Sequence, residues 1–516
     1  MLLRGLHLAS VLMPQEGWDE YQHLAVVAVL DERGTFPDYR DPIPESFLKY
    51  LQGVPLPDVA VRQLSSIGAQ NYRGEIWWED RFVPASSIQV PAGGEGHGLY
   101  QAQQGPLYYG VLLFLIHGFG LEEYSAWGDL GRLLNVILMA GTSVLWFFLF
   151  QAICPRRMGY LPLLLCVCVA MNSLYIYNFC RVTNDVLAVF LSTLAMLISV
   201  WGFKFMKESR SNRFLLCLGG VLGLLVGLAV LAKTYALVVI PALVLGAAWR
   251  FIRQGPGWRR VILFSAPLLL GYLLVAGPWH WDSLTRYQTL TPMQEAIQNQ
   301  ETGRGLFDAV SEVDYLLDRT LIPLFKGYFF AVGGWSVLLD GSLSWLHYRL
   351  VQLAWVGLVL ALLFGFSRRR IIELWGQHPE IGFCLLFFCA AFFYHGYQSF
   401  LAYGITTTSV RYAAMVFPLL LLVYFTGAAA LHPALGLLLG FAFVLVWGFT
   451  HLHLTYGLVI PHQTGLIELQ DSLEVIGSYH SFLEFSSPWI HGGEALLLLG
   501  MVVLHLMQRR LKLKPS

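Results

Sequence analysis

The segment that follows the first apolar stretch carries two acidic residues and a histidine at helical spacing. In GWDEYQH (residues 17–23), Asp19 and Glu20 precede His23 by four and three residues. Side chains three or four residues apart share one face of a helix, so all three can point toward one site. Carboxylates and imidazoles are the groups that act as general bases and bind divalent ions. Taken alone, the acidic pair is better explained as stabilising the first turn of a helix through its dipole.

A second polar stretch, EGHGLYQAQQGPLYY at residues 95–109, places His97, Tyr100 and Gln104 among glycines and aromatic residues. The alternating glycines do not form a dinucleotide-binding fingerprint, because no strand–helix context surrounds them. The structural alternative is a glycine-rich turn that leads into an aromatic belt at a membrane interface.

Further ionisable residues lie at the ends of apolar runs. Asp185 begins one run, Lys233 lies in a very short turn between two others, and Arg411 precedes Tyr412 at the start of a later one. Arg286 follows another run in the segment WHWDSLTRY. Because ionisable groups are costly inside a membrane, their presence at these positions favours a functional role. Snorkelling of Lys233 and Arg411 to the interface is the alternative.

The composition shows what kind of protein positions these residues. The chain has 516 residues, of which 56% are hydrophobic and 13% are charged, whereas a soluble domain has about 25% charged residues. Lys+Arg and Asp+Glu both total 33, and no basic stripe suggests nucleic-acid binding. The seven cysteines lie mostly in apolar runs and are expected to be buried free thiols. The sequence therefore predicts an all-α polytopic membrane protein.

The positive-inside rule predicts the topology, because five basic clusters separate the apolar runs. They lie at residues 156–157, 204–213, 250–260, 368–370 and 509–514. Placing them all inside predicts spans near residues 131–153, 159–178, 186–206, 214–231, 235–252, 261–278, 349–366, 380–397, 412–431, 434–455 and 494–508. Residues 1–13 look like the end of a first span, which makes about 12 spans. Residues 106–120 are expected to form a re-entrant or surface helix.

This topology makes residues 1–516 one transmembrane domain with three large extracytoplasmic loops. The loops are residues 14–130, 279–348 and 456–493, and they hold most of the polar residues named above. The sequence thus predicts a multi-pass protein of the inner (plasma) membrane whose site faces the extracytoplasmic side.

The order of these motifs resembles the GT-C class of polytopic glycosyltransferases. This class includes the protein O-mannosyltransferase-like and the lipid A aminoarabinose-transferase-like enzymes of bacteria. The matching motifs are WDExxH at 18–23, VLxxxGxxP at 29–37, YxxxQGPLYY at 100–109, RLL at 132–134, ND at 184–185, KT at 233–234, GGW at 333–335, and RY at 411–412 followed by Pro418. At residues 104–106 the chain has QGP where the family often has His-Pro-Pro.

The resemblance implies transfer of a sugar from a polyprenyl-phosphate carrier to a glycan, lipid or protein acceptor outside the membrane. It implies that Asp19 is the general base of an inverting displacement, with Glu20 and Asp185 as further catalytic residues. Candidate residues for binding the donor and its phosphate are Lys233, Arg286, Arg411, Tyr412, His23, Tyr100 and Gln104. A divalent metal ion is a possible cofactor, with Glu20, His23 and His97 as candidate ligands.

Two other classes of function are compatible with a polytopic chain. A transporter or flippase for lipid-linked sugars would have paired half-repeats and broken helices at the membrane midplane. No clear internal repeat is present, and the ionisable residues gather toward one face. A catalytically silent partner in envelope assembly is the second alternative, and the QGP departure leaves it open.

Overall fold

The structure is a computed structural model that describes residues 1–15, 19–56, 83–84, 99–155, 158–209, 211–253, 257–305, 308, 310–326, 341–406, 410–464, 466 and 468–497. Several features named from the sequence lie outside these ranges. They are Trp18 of the WDExxH motif, the metal-ligand candidate His97, the GGW motif at 333–335, the basic clusters at 156–157 and 509–514, and the last predicted span from residue 498 onward. The side chain of Arg411 is also outside the described part of the chain.

The described chain is almost entirely helical. Its first helices are α1 (Leu2–Val11), α2 (Glu20–Arg33), α3 (Glu45–Gln52), α4 (Leu107–Phe119), α5 (Tyr124–Ile153), α6 (Leu161–Met171), α7 (Ser173–Phe179), α8 (Asp185–Ser209), α9 (Asn212–Ala232), α10 (Val239–Arg253) and α11 (Trp258–Tyr287). The later ones are α12 (Gln294–Glu301), α13 (Val313–Arg319), α14 (Leu321–Lys326), α15 (Gly341–Leu363), α16 (Gly365–Gln377), α17 (Pro379–Tyr403), α18 (Phe417–Leu431), α19 (Pro433–Leu452), α20 (Ile460–Thr464) and α21 (Leu469–Gly477).

Shorter elements connect these helices. Four 3₁₀ helices and one π-helix are described, at Tyr100–Gln103, Thr234–Val238, Val310–Glu312, Val410–Met415 and His453–Val459. A further helical segment covers residues 490–497. Two short strands, β1 (Pro55–Leu56) and β2 (Val83–Pro84), pair antiparallel.

Eight of the described helices are long and apolar enough to cross a membrane. They are α5, α8, α9, α10 with the 3₁₀ turn before it, α11, α15, α17, and α19 with the π-helix that continues it. Four shorter apolar helices, α1, α4, α6 and α18, accompany them. The prediction of an all-α polytopic membrane fold is therefore confirmed. Helix α4 is also short, as the sequence predicts for residues 106–120.

Two predicted spans differ from the structure. The helix predicted at 159–178 is interrupted at Asn172, which is extended (φ −72°, ψ 114°) and whose side chain accepts a hydrogen bond from the Tyr175 N–H at 2.8 Å. Asparagine competes with the helical backbone in this way, so it ends α6 and caps α7. The span predicted at 412–431 begins instead as a 3₁₀ helix, and its α-helix starts at Phe417. Pro418 favours that first turn because it lacks an N–H.

Helices α9 and α11 pack with their backbones close together along the row Gly219, Gly223 and Gly227. A Cβ at Gly219 would lie 2.3 Å from the carbonyl oxygen of Phe264, and one at Gly223 would lie 2.1 Å from that of Leu268. The row therefore has the close-packing role that small residues at this spacing indicate.

Chain direction brings the polar segments to one end of the bundle. Helices α8 and α9 form a hairpin, so the first residue of α8, Asp185, and the residue after α9, Lys233, lie at the same end. The N-terminus of α2 and the 3₁₀ turn Tyr100–Gln103 belong to this end as well, because α2 contacts that turn and α4 contacts α9. The long helices thus act as a scaffold for a site at their ends.

Candidate functional site

Asp19 lies immediately before α2 in a left-handed backbone conformation, with φ 62° and ψ 13°. Its side chain is buried, with only 4% of the residue exposed, and Oδ2 accepts a hydrogen bond from Gln101 Nε2 at 3.1 Å. Non-glycine residues in this conformation are uncommon and carry strain, which the surrounding structure must hold in place. The backbone therefore presents this carboxylate toward the Tyr100–Gln103 turn.

Glu20 lies next to Asp19 and forms a buried ion pair with Arg132. Both of its carboxylate oxygens are bound by Arg132 at 2.8 Å, and Oε1 also accepts the Val182 N–H at 2.9 Å. Arg132 in turn donates to three carbonyl oxygens at the end of α1, those of Ala9, Leu12 and Met13. The pair is buried and fixes the chain that leads to Asp19. The catalytic or metal-ligand role of Glu20 stays a prediction, and these contacts give the residue a positioning role as well.

His23 is part of a buried hydrogen-bond chain one turn into α2. Its Nδ1 lies 3.0 Å from the Tyr109 hydroxyl, and that hydroxyl donates to the Gln101 carbonyl oxygen at 3.1 Å. A tyrosine hydroxyl has a single hydrogen, so Nδ1 of His23 must be the donor in the first bond. The chain connects α2, α4 and the turn that carries Gln101.

The second acidic group and the lysine come together as a pair. Lys233 Nζ lies 3.0 Å from Asn184 Oδ1 and 3.5 Å from Asp185 Oδ1. Asn184 also donates to the Ala232 carbonyl oxygen at 3.0 Å, which ties the start of α8 to the end of α9. Lys233 is only 6% exposed, and its ammonium lies 6.0 Å from the centre of the Tyr412 ring. A buried charge is costly without polar partners, and Asn184 and Asp185 supply these partners for the Lys233 ammonium.

Tyr109 lies beside the segment that connects these two groups, because it contacts Gln101. Its hydroxyl is fully buried, and burial raises its pKa well above the ordinary value. The same hydroxyl donates to the carbonyl oxygen of Gln101, whose side chain holds Asp19. Gln104 also links the two sides, because its Oε1 accepts from the Thr234 hydroxyl at 3.3 Å, next to Lys233.

The sequence interpretation missed two residues near Tyr412, namely His395, which packs against its ring, and Glu295, which contacts His395. His395 on α17 packs edge-on against the Tyr412 ring, with 5.6 Å between the ring centres. Its Nε2 lies 4.0 Å from Oε1 of Glu295, the second residue of α12. Glu295 occurs in a glutamine-rich helix and His395 in an apolar span, a hundred positions apart. The one signal in the sequence is that His395 is an ionisable residue within the apolar span predicted at 380–397.

The remaining predicted residues divide into those near the cluster and those away from it. Tyr100 lies in the 3₁₀ turn beside Gln101 and is partly buried. Arg411 precedes Tyr412 in the 3₁₀ helix Val410–Met415, which places its backbone at the site. Arg286 is half exposed and pairs with Asp282 on its own helix at 2.8 Å. The structure does not bring Arg286 to the cluster, because the last turn of α11 directs it to an i,i+4 partner.

Of the predicted metal ligands, Glu20 and His23 lie in the part of the chain that the structure describes, and their metal-binding role stays a prediction. Within that part of the chain no group of three or more His, Cys, Asp or Glu side chains could hold an ion. Glu20 is bound to Arg132, and Nδ1 of His23 is bound to Tyr109.

Comparison with known proteins gives few matches. No family model matches the chain, and no curated protein matches it. Among solved structures, the archaeal oligosaccharyltransferase AglB from Archaeoglobus fulgidus, in complex with an inhibitory peptide and a dolichol-phosphate, is 13% identical. That alignment covers 86% of this chain and 56% of the other, with a TM-score of 0.33.

Two further structures of the Archaeoglobus fulgidus oligosaccharyltransferase give similar values. The complex with Zn and sulfate is 11% identical, covering 95% of this chain and 58% of the other with a TM-score of 0.36. The apo form is 13% identical, covering 94% and 60% with a TM-score of 0.34. This chain thus spans less than two thirds of the length of these solved chains.

Proposed function

We propose that the protein is a membrane glycosyltransferase that moves a sugar from a polyprenyl-phosphate-linked donor to an extracytoplasmic glycan, lipid or protein acceptor. The observation that carries the proposal is that the segment 101–104 contacts both a strained, buried carboxylate and the turn that holds a buried lysine–carboxylate pair. The carboxylate is Asp19 and the pair is Lys233 with Asp185, and all three lie at one end of the apolar helices. The order of the GT-C-like motifs supports the same reading.

In this proposal Asp19 is the general base. It takes the proton from the acceptor hydroxyl as the acceptor oxygen attacks the anomeric carbon of the donor sugar. The bond from that carbon to the phosphate oxygen breaks at the same time, and polyprenyl phosphate leaves with the bonding electrons. A single displacement of this kind inverts the anomeric carbon, as in inverting glycoside hydrolysis. The Gln101 amide holds Asp19 through Oδ2 and so orients the carboxylate.

The leaving phosphate develops negative charge, which a nearby cation stabilises. In this proposal Lys233 is that cation. Arg411 is a second candidate, because it precedes Tyr412 in the 3₁₀ helix Val410–Met415. Asp185 and Asn184 hold the ammonium in place before the donor binds. The lipid tail of such a donor would lie in the membrane while its sugar-phosphate reaches the helix ends. This division of the substrate fits a site at the end of a bundle better than one at mid-depth.

The test is transfer of radiolabelled sugar from short-chain polyprenyl-phosphate donors by the purified protein in liposomes. We expect transfer by the wild type and a loss of about 10²- to 10⁴-fold in Asp19→Asn, the range for removing a general base. Asp31→Asn is the matched control, because Asp31 lies at the other end of α2 and contacts the exposed His117. It should retain wild-type transfer.

Two outcomes would contradict the proposal. Full activity of Asp19→Asn would remove Asp19 as the base. Absence of transfer by the wild type from every donor, with donor binding retained, would instead favour a flippase or a catalytically silent partner.

A further inference from the structure

Helix α12 is attached to α17 by polar side chains on one face. Gln298 Nε2 donates to the Ala402 carbonyl oxygen at 3.0 Å. Asn299 Nδ2 donates to both the carbonyl oxygen and the side-chain Oε1 of Gln398, at 3.0 and 2.8 Å. These bonds lie on consecutive residues of α12 and about one turn apart on α17. The position of α12 over this end of the bundle is therefore well defined.

The same face carries Glu295 one turn earlier, opposite His395. The two side chains are mostly buried, with 13% and 27% exposed, and their Oε1 and Nε2 atoms lie 4.0 Å apart. Residues 295 and 299 are four apart on one helix, and residues 395 and 398 are three apart on the other, so the helical spacing aligns both contacts. The imidazole next to it limits where the Glu295 carboxylate can point.

The first residues of α12 also contact the Asp19 side of the site. The Gln294 N–H donates to Gln103 Oε1 at 2.9 Å, in the turn whose Gln101 holds Asp19. Met293 contacts both Gln104 and Thr234 through its sulfur, at 3.6 and 3.8 Å. Glu295 thus lies between the Tyr100–Gln103 turn and the Tyr412–Lys233 side of the cluster.

The charges decide which substrate this carboxylate would meet. The phosphate of the donor is an anion, which Lys233 attracts and a carboxylate repels. A carboxylate instead accepts hydrogen bonds from hydroxyl or ammonium groups. Helix α12 belongs to the loop 279–348 and its last residues, Gln300 and Glu301, are exposed. It faces the side from which a water-borne or headgroup acceptor would arrive.

We propose, on the basis of the function proposed above, that Glu295 binds the acceptor and that His395 is the residue that positions it. The acceptor would present a hydroxyl or amino group as a hydrogen-bond donor beside the hydroxyl that attacks the sugar. One row of side chains runs from Lys233 past Tyr412 and His395 to Glu295. The donor phosphate is assigned to the Lys233 end of this row, and the acceptor to the Glu295 end.

The experiment is steady-state transfer kinetics with labelled polyprenyl-phosphate hexose and pentose, varied separately against hydroxylated acceptors from glycan, lipid and peptide classes. Glu295→Gln should raise the KM for the acceptor about 10- to 100-fold, the range for a hydrogen bond to a charged group. Its KM for the donor should stay within about twofold. His395→Gln should give a smaller rise in acceptor KM in the same direction. Glu301→Gln on the exposed face of α12 is the matched control and should change neither constant.

Binding of a short polyprenyl monophosphate, measured by intrinsic tryptophan fluorescence, separates this role from misfolding. We expect Glu295→Gln to bind it as the wild type does, whereas Lys233→Met should bind it more weakly. An unchanged acceptor KM in Glu295→Gln, or a raised donor KM, would overturn the assignment while leaving the transferase intact. A wild type that transfers no sugar at all would overturn the proposed function itself and this inference with it.

Discussion

Glu20 and Arg132 form a buried ion pair next to the candidate site. Each residue is about 1% exposed, and the guanidinium also satisfies three carbonyl oxygens at the end of α1. An arginine suits this position because its fork of donors matches a carboxylate on one side and leaves others free for backbone groups.

Removing one partner of this pair should therefore be costly. We expect Arg132→Met or Glu20→Gln to lower the free energy of unfolding by about 3–5 kcal/mol, because each leaves a buried charge without its partner. The double variant should recover part of this loss. Thermal unfolding in detergent, followed by tryptophan fluorescence, measures both effects. Single variants as stable as the wild type would contradict the assignment of a positioning role to Glu20.

At the scale of elements, the turn at residues 99–106 joins the two halves of the site. Gly105 packs against the last turn of α9, where an added Cβ would lie 2.3 Å from the Leu231 carbonyl oxygen. Backbone atoms cannot move aside as a flexible side chain can. This close approach offers a physical reason for glycine in the QGP sequence, and it keeps Gln104 next to Thr234.

Gly105→Ala should consequently displace the turn. We expect a loss of about 1–3 kcal/mol in the free energy of unfolding, as for other overpacked sites, together with reduced sugar transfer. Gly110→Ala in α4 is the control, because nothing lies within 4 Å of its added Cβ. Equal stability of the two variants, by the same unfolding assay, would show that the contact is not as tight as described.

A second polar cluster holds α1 against the helical segment 490–497. The Tyr456 hydroxyl lies 2.7 Å from His7 Nε2 and 2.8 Å from His491 Nε2, within the π-helix His453–Val459. His491 Nδ1 contacts Glu494, and Glu494 forms an ion pair with Arg4 at 3.0 Å. One hydroxyl thus connects three separate elements.

Tyr456→Phe removes this shared group while keeping the ring. We expect it to cost about 1–3 kcal/mol of unfolding free energy, because two imidazole nitrogens lose a buried partner. Tyr394→Phe, whose side chain is on an exposed part of α17, should have little effect. Calorimetry or fluorescence-detected unfolding of both variants would decide, and a neutral Tyr456→Phe would argue against a stabilising role for the cluster.

At the scale of the whole molecule, the distribution of charge predicts orientation. The basic clusters, such as residues 368–370, should face the cytoplasm, and the site end should face outward. Helix α12 and the RRR cluster in α16 lie at opposite ends of the spans that connect them. The site end and this basic cluster are therefore expected on opposite sides of the membrane.

Cysteine labelling of intact cells tests this orientation. In a Cys217→Ser background, Glu301→Cys should react with a membrane-impermeant maleimide in intact cells, because residue 301 is exposed on α12. Glu373→Cys, which is exposed on α16, should react only after permeabilisation. The reverse pattern would place the candidate site on the cytoplasmic side and exclude an extracytoplasmic acceptor.

The sequence by itself determined the membrane character of this protein and the position of most spans. Long apolar runs have few alternatives, since in lipid the backbone must satisfy its own hydrogen bonds and a helix does so locally. The sequence also pointed to Asp19, Asp185 and Lys233, because ionisable residues at the ends of apolar runs stand out against their surroundings.

The tertiary structure alone decided which of these residues meet and what each one contacts. Arg132 binds Glu20, more than a hundred positions earlier in the sequence, and Glu295 contacts His395, a hundred positions later. Arg286 is left with a partner on its own helix. Such pairings depend on how distant helices pack, and local periodicity carries no information about them. Asn172 shows the same limit within one predicted span, where a single side chain's hydrogen bond outweighs an apolar pattern that favours a continuous helix.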